Sequence, residues 1–487
     1  RSETARERAL WGGKTVKHLN RSIMEDYEIL SSRPERLCAV QFGADARLLG
    51  GVDRMLDEAN CAGANVGAAL VDTDGGEFAG HLKRQDGMFT VFVRGEADEK
   101  EVHREQVVQS VLRALDPEAD YAALMALARD GGIRFLILSE DEIDERRSAA
   151  AAALSARFLV ERFRAGLEPP AVLAFGDAPE CARRVKTRVA AVAERWSAGE
   201  EFARWLEQCR FFPALMDSLT ARSGAEEAAR LCREMNYADA MIHIAEPYAL
   251  CAVQADAAFR AEFPLPGVEY VDDIAPLMER KHRLFDAGLA ILTALGALHG
   301  DATLADCMKD EPLRERLGRA LMDEILPCAP LPREEAAQYV IRCCERWENP
   351  MNENRLFEAG SGLLRRLRVG VLPAMRAYAD DKFELPEHLA LTLAAAALVY
   401  AGVRRGASGA FELELDGEIV PVHDDAGALE AFSRLSPDMP SDSLAYAVLA
   451  DRTLWGGEDL RALDGLEESM AANMAMVASM AAQEEEK

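Results

Sequence analysis

Residues 36–72 read RLCAVQFGADARLLGGVDRMLDEANCAGANVGAALVD, and the fold turns on how this stretch is divided. Residues 36–42 are a compact apolar run that stops at Gly43. Leu48, Leu49, Val52 and Leu56 then recur at near-helical spacing, and residues 65–72 return to a short apolar run. Strand, tight turn, helix and strand in that order open a parallel, doubly wound sheet. Outward from it, MFTVFVRG (88–95), IRFLILS (133–139), AVLAFGD (171–177) and AMIHIAE (240–246) are further strand candidates. Helical patterns are expected between them, at residues 105–115 and 148–167. Alternation of this kind predicts an α/β domain.

From about Leu277 the texture becomes mostly helical, punctuated by Pro, Gly and charged loops. One exception is GAFELELDGEIVPVH (409–423), which alternates Phe411, Leu413 and Leu415 around an Asp-Gly turn and predicts a hairpin. The expected organisation is an N-terminal extension (1–30), a Rossmann-like dinucleotide-binding-type domain (31–270) and a helical substrate-type domain (271–487). The longest uncharged stretch, residues 389–403, falls short of the ~18–20 residues that span a bilayer and reads as a buried helix.

The chain carries 56 basic and 84 acidic residues, a net charge of −28. Such a field repels phosphate backbones and anionic lipid, so neither a nucleic-acid nor a membrane partner is expected. Ten cysteines lie scattered in apolar runs without metal-type spacing, which predicts free thiols, no metal centre and a reducing, cytoplasmic setting. The basic N-terminal residues lack an apolar segment of the secretory type. Oligomeric state is not legible in the sequence.

Six segments together carry a family resemblance: PERLCAVQFG (34–43), QDGMFTVFVRG (85–95), YVDDIAPLMERK (270–281), RWENP (346–350), VLPAMRAYAD (371–380) and TLWGGEDL (453–460). In order and near-spacing the chain resembles the tagaturonate reductase (altronate oxidoreductase) branch of the polyol-specific long-chain dehydrogenases, cousins of mannitol dehydrogenase. The resemblance spans roughly residues 20–480. It implies an NAD-binding Rossmann domain, a helical substrate domain and reduction of a keto-hexuronate, a small-molecule sugar acid, with NADH.

Position by position the family pattern is altered. Its first turn, Phe-Gly-x-Gly-Asn-Phe, is FGADAR here: Gly43 matches and Asp45 replaces the second glycine. A carboxylate there opposes a pyrophosphate at the helix start, by about 4 kcal/mol for unit charges ~4 Å apart at an effective dielectric near 20. Asp45 is also a good helix N-cap. Asp72 and Asp74 stand where a ribose-binding acid is implied, though acids are ordinary in such a turn. An Asn-Thr-Thr-Glu run becomes Ser139, Glu140, Asp141, and a polyol-binding asparagine becomes Cys181.

The family's Lys, which acts as general base, matches Lys281. Its oxyanion-holding Asn and His become Asp286 and Leu289. A Lys-His-Gln triplet becomes Glu353, Asn354, Arg355, and a later Asn becomes Gly362; Arg355 is a candidate for gripping a sugar-acid carboxylate. The alternative for the lysine segment is a surface one: Asp286 within helical reach of His282 and Arg283, with Lys281 solvated at a helix start. His299, ten residues on from Leu289, reads as a partner of its helix's C-terminal dipole. Two functions therefore compete: an NAD-dependent oxidoreductase with an altered site, and a pseudoenzyme acting as a ligand-binding or assembly protein on the same scaffold.

Overall fold

The computed structural model describes residues 17–97, 100–140, 145–196, 199–349, 356–359, 361–407, 409–415 and 417–485. The chain divides into two compact units, one ending at Ala275 and the other running from Pro276.

The first unit is built on an eight-stranded sheet: β1 (Leu37–Phe42), β2 (Gly67–Val71), β3 (Val111–Leu115), β4 (Phe135–Ser139), β5 (Ala171–Phe175), β6 (Phe211–Asp217), β7 (Leu250–Val253) and β8 (Val268–Tyr270). The spatial order is β8-β7-β6-β5-β4-β1-β2-β3. Its first six strands run 3-2-1-4-5-6, all parallel, the arrangement of a doubly wound dinucleotide-type sheet. β7 runs antiparallel to β6, and β8 runs parallel to β7, so the last two strands oppose the first six. β2 and β5 are buried at every position, which explains why they read as unbroken apolar runs rather than as alternation. The chain order reverses between β1 and β4, so the crevice at their C-terminal ends is where such sheets take ligands.

Two expectations are corrected here. Residues 105–115 are not a helix: Lys100–Val108 is a strand in a hairpin with Phe89–Ala97, registered Phe89 to Val108 and Ala97 to Lys100, and residues 111–115 are β3. The paired valines 107 and 108 suit a pleated surface, and cross-strand pairing outweighs the helical spacing. In addition, Phe89–Ala97 and His243–Ala245 are strands but lie outside the parallel sheet, in a separate four-stranded one completed by Thr220–Arg222.

The second unit is mainly helical. Helix Ala287–His299 is buried from Ala287 through Gly296 and packs against helix Glu387–Tyr400, which in turn packs on Leu466–Glu485. The hairpin lies where the sequence placed it, Phe411–Leu415 antiparallel to Glu418–Pro421. Wide π-helical turns occur at Lys281–Asp286, Ala320–Ile325 and Leu367–Val371. Among the described residues no helix is long and apolar enough to cross a membrane, and all ten cysteines are free.

Candidate active site

Lys281 opens the π-turn that leads into helix Ala287–His299. It is 8% exposed, and Asp286 is 0% exposed. Lys281 Nζ donates to Asp286 Oδ2 at 2.9 Å. The other carboxylate oxygen accepts from Arg366 Nη1, with Arg365 Nη2 at 3.9 Å and His282 Nε2 3.9 Å from Oδ2. Burial alone would raise the Asp286 carboxyl, but Lys281, Arg366, Arg365 and His282 outweigh it and hold it well below the usual carboxylate range. The surface reading is therefore overturned. Lys281 is not solvated, Asp286 is not a surface partner, and Arg283 pairs with Glu279 at 2.6 Å instead.

Two helices cooperate to make this cluster. Arg365 and Arg366 precede the π-turn Leu367–Val371, and a Cβ on Gly370 would stand 2.5 Å from the His282 carbonyl oxygen. Only glycine lets the two π-turns approach so closely, and that approach brings Arg366 onto Asp286. Beneath the cluster, Phe285 stacks on Trp347 with centroids 5.7 Å apart, and the Arg346 guanidinium lies 3.9 Å over the Phe285 ring. Leu289 is fully buried and offers no hydrogen bond, as its side chain dictates. Sequence reading missed Arg365 and Arg366, about eighty positions away; an adjacent arginine pair, with Arg368 close behind, in a largely apolar run was the available signal.

In the first unit, Gly43 follows β1 with φ +114, a conformation that favours glycine. Asp45 Oδ1 accepts the Leu48 amide at 2.9 Å, so this carboxylate caps the helix. Arg47, one step inside the helix, lies 3.6 Å from Asp177, which follows β5. Asp72 is fully buried at the end of β2, and both of its oxygens are used internally: Oδ1 accepts the Asp74 amide at 2.8 Å and Oδ2 the Ala79 amide at 2.9 Å. Asp74 belongs to the same turn. Glu140, after β4, is not an uncompensated acid: Arg184 and Arg188 pair with it at 3.0 and 3.3 Å.

Cys181 is buried; its thiol donates to the Ala174 carbonyl, and burial pushes it up to about 12. His299 does end its helix, but its Nδ1 is engaged by Asp310 Oδ2 at 2.8 Å. Asp141, Glu353, Asn354 and the carboxylate candidate Arg355 lie outside the described residues. Gly362 is described, with φ +75 at the start of the helix that carries Arg365 and Arg366.

The turn after β1 meets the backbone requirement of a dinucleotide and opposes its charge. Left-handed Gly43 keeps the tight turn, while the helix start already holds an anion of its own, with Arg47 as the adjacent cation.

A parallel 3-2-1-4-5-6 sheet with a helical second unit defines the class: a two-domain protein of the Rossmann-based polyol dehydrogenase fold. Solved structures agree. Over 95% of this chain and 97% of theirs, the mannitol 2-dehydrogenase of Pseudomonas fluorescens, in ternary complex with NAD and D-mannitol, superposes with a TM-score of 0.76 at 18% identity. A D-sorbitol dehydrogenase in substrate-free form does so with 0.68 at 16% identity, over 95% and 98% of the two chains. Residues 273–477 match the mannitol dehydrogenase C-terminal domain. The altronate oxidoreductase of Klebsiella pneumoniae (strain 342) is 28% identical over 92% of this chain and 95% of its own, and that of Yersinia pestis 27% identical over 92% and 95%. The chain is similar over most of its length to altronate oxidoreductases and shares its fold with the mannitol and sorbitol dehydrogenases.

Proposed function

We propose that the chain is a nicotinamide-dependent oxidoreductase of a polyol or sugar acid, and that its finer role is reduction of a keto-hexuronate to the hydroxy acid. One observation carries this reading: Lys281, the residue at the family's proton-transfer position, is buried against Asp286 and ringed by Arg365 and Arg366. As an ammonium paired to a buried carboxylate, Lys281 is suited to give a proton to a carbonyl oxygen that gains negative charge. Asp286 does not leave the region anionic, since Lys281 and Arg366 both contact it. Arg365 and Arg366 supply the kind of planar donors that hold a carboxylate. The cofactor, NAD(H), supplies the hydride when bound; Gly43 and Arg47 are the residues of the β1 turn that would face its pyrophosphate.

A second reading, a pseudoenzyme that binds a sugar acid or assembles with another protein, is favoured by Asp45 at the helix start and by Leu289, which removes a donor from the family's oxyanion site. Titration with NADH, followed by nicotinamide fluorescence with NADPH in parallel, separates the two. Saturable micromolar binding, with keto-hexuronate reduction that Lys281→Ala abolishes, supports the oxidoreductase. Absence of binding up to millimolar cofactor overturns it in favour of the second reading.

A further inference from the structure

The far end of helix Ala287–His299 carries a second cluster. Lys281 and His299 are 18 positions apart along this helix, a separation of roughly 27 Å at 1.5 Å per residue. Gly300 caps the helix with φ +80 and turns the chain back, so that the Asp301 amide reaches the Gly296 carbonyl at 2.9 Å. Asp310 caps the following helix, Glu311–Arg319: its Oδ1 accepts the Leu313 amide at 3.2 Å, and its Oδ2 meets His299 Nδ1 at 2.8 Å. One imidazole nitrogen and one oxygen from each of Asp301 and Asp310 lie within 4.8 Å of one another, the one such group of His, Cys, Asp or Glu donors among the described residues.

Two further observations point to a ligand. Asp301 Oδ2 is sealed from solvent and accepts no hydrogen bond, a costly state for a carboxylate oxygen. Asp301 also forms part of the wall of a pocket of about 360 Å³, with Gly300, Leu356, Phe357, Leu415 and Val420. A small ion bound beside Asp301 therefore has room for further ligands. The Cys307 thiol interacts with Asp301, but burial and that neighbouring charge push it up, so it remains a neutral thiol.

We propose that His299 Nδ1 and one carboxylate oxygen each from Asp301 and Asp310 form a binding site for a divalent first-row transition-metal ion at the wall of this pocket. An imidazole with two carboxylates suits such ions. Donors bound at about 2.1 Å in a tetrahedral site stand about 3.4 Å apart, so a small rotation of the Asp310 and His299 side chains from their present contact seats the ion. Water or a pocket ligand completes the coordination. The dication also offsets the repulsion between the two carboxylates, which a single hydrogen bond from His299 does only in part. The absence of metal-type cysteine spacing misses this site because none of its ligands is a cysteine.

The test is calorimetric titration of the untagged, chelator-stripped full chain with Zn²⁺, with Co²⁺ absorption as a spectroscopic readout. One equivalent of tight binding and a ligand-field spectrum of low-symmetry N/O coordination are expected. His299→Gln and Asp301→Asn should each weaken binding by at least about tenfold, with melting temperatures in chelator compared to exclude misfolding. Lys281→Ala should bind the ion unchanged, which separates this site from the chemistry at the helix start. The proposal is overturned by a lack of saturable binding up to millimolar metal, or by one-equivalent binding that survives both ligand substitutions.

Discussion

The two units meet the same intrusion, an acid at a position where the family pattern has a neutral residue, in different ways. In the first, the backbone absorbs it: Asp45 takes the Leu48 amide, and the neighbouring Asp72 takes two more amides of its own loop. In the second, side-chain cations absorb it: Asp286 takes Lys281 and Arg366, with Arg365 and His282 close by. A helix cap is a local device, worth about 1 kcal/mol and replaceable. A buried ion cluster is not, because removing one partner strands the charge of the other. The difference teaches that the dinucleotide turn is a lightly held alteration, whereas the lysine site is now part of the core.

The contrast can be broken or sharpened by substitution, from the largest effect downward. Lys281→Ala should reduce keto-acid reduction by a factor of about 10² to 10⁴, the usual contribution of a positioned proton donor. Unchanged turnover in steady-state kinetics would remove the lysine from the chemistry. Asp286→Asn restores the family's residue type but removes the buried anion that Lys281 and Arg366 share, so a loss of about 3–5 kcal/mol is expected in urea unfolding. A loss below 1 kcal/mol by that same measurement would show the cluster to be no more than a surface pair.

Asp53 sharpens the picture within the first unit. It is fully buried in the helix that follows the dinucleotide turn, and accepts from Gln41 Nε2 at 2.9 Å. Burial pushes its carboxyl up to about 7. A raised carboxyl stabilises the fold below the unfolded value near 4, and the contribution is lost as pH rises through about 7. Stability should thus fall by roughly 4 kcal/mol between pH 4 and 8 from this group. Asp53→Asn should flatten that slope, and urea melts across the range would reveal an unaltered slope if Asp53 were not responsible. The smallest structural effect belongs to Asp45→Gly: only a few tenths of a kcal/mol less stable by thermal melt, yet NADH affinity should rise by about tenfold or more once the opposing charge is gone. Unchanged affinity would mean that the carboxylate does not face the phosphates.

Much of the fold was legible because it rests on local pattern. The strand–turn–helix–strand at residues 36–72 and the Asp-Gly hairpin near 416 declare themselves through apolar runs and turn residues. The antiparallel strand at 100–108 was not legible, since its valines fit either period and its partner, not its own sequence, decides. Of the site, the sequence located Lys281 and the substitutions at 286 and 289. It misplaced their surroundings, because burial at Lys281 depends on Gly370, Arg365 and Arg366, residues that a window around the lysine cannot see.

The π-turn at Lys281–Asp286 has a consequence for sequence length. Such a turn accommodates one residue more than the α-helix it interrupts. Deleting a single residue between Lys281 and Asp286 would let the helix relax to regular geometry and swing everything before it by about 100° around the axis. Lys281 would then point away from Arg366 without any change in its own identity. The protein's polar centre is thus encoded as much in a count of residues as in their chemistry, and a one-residue indel there acts as a rotation.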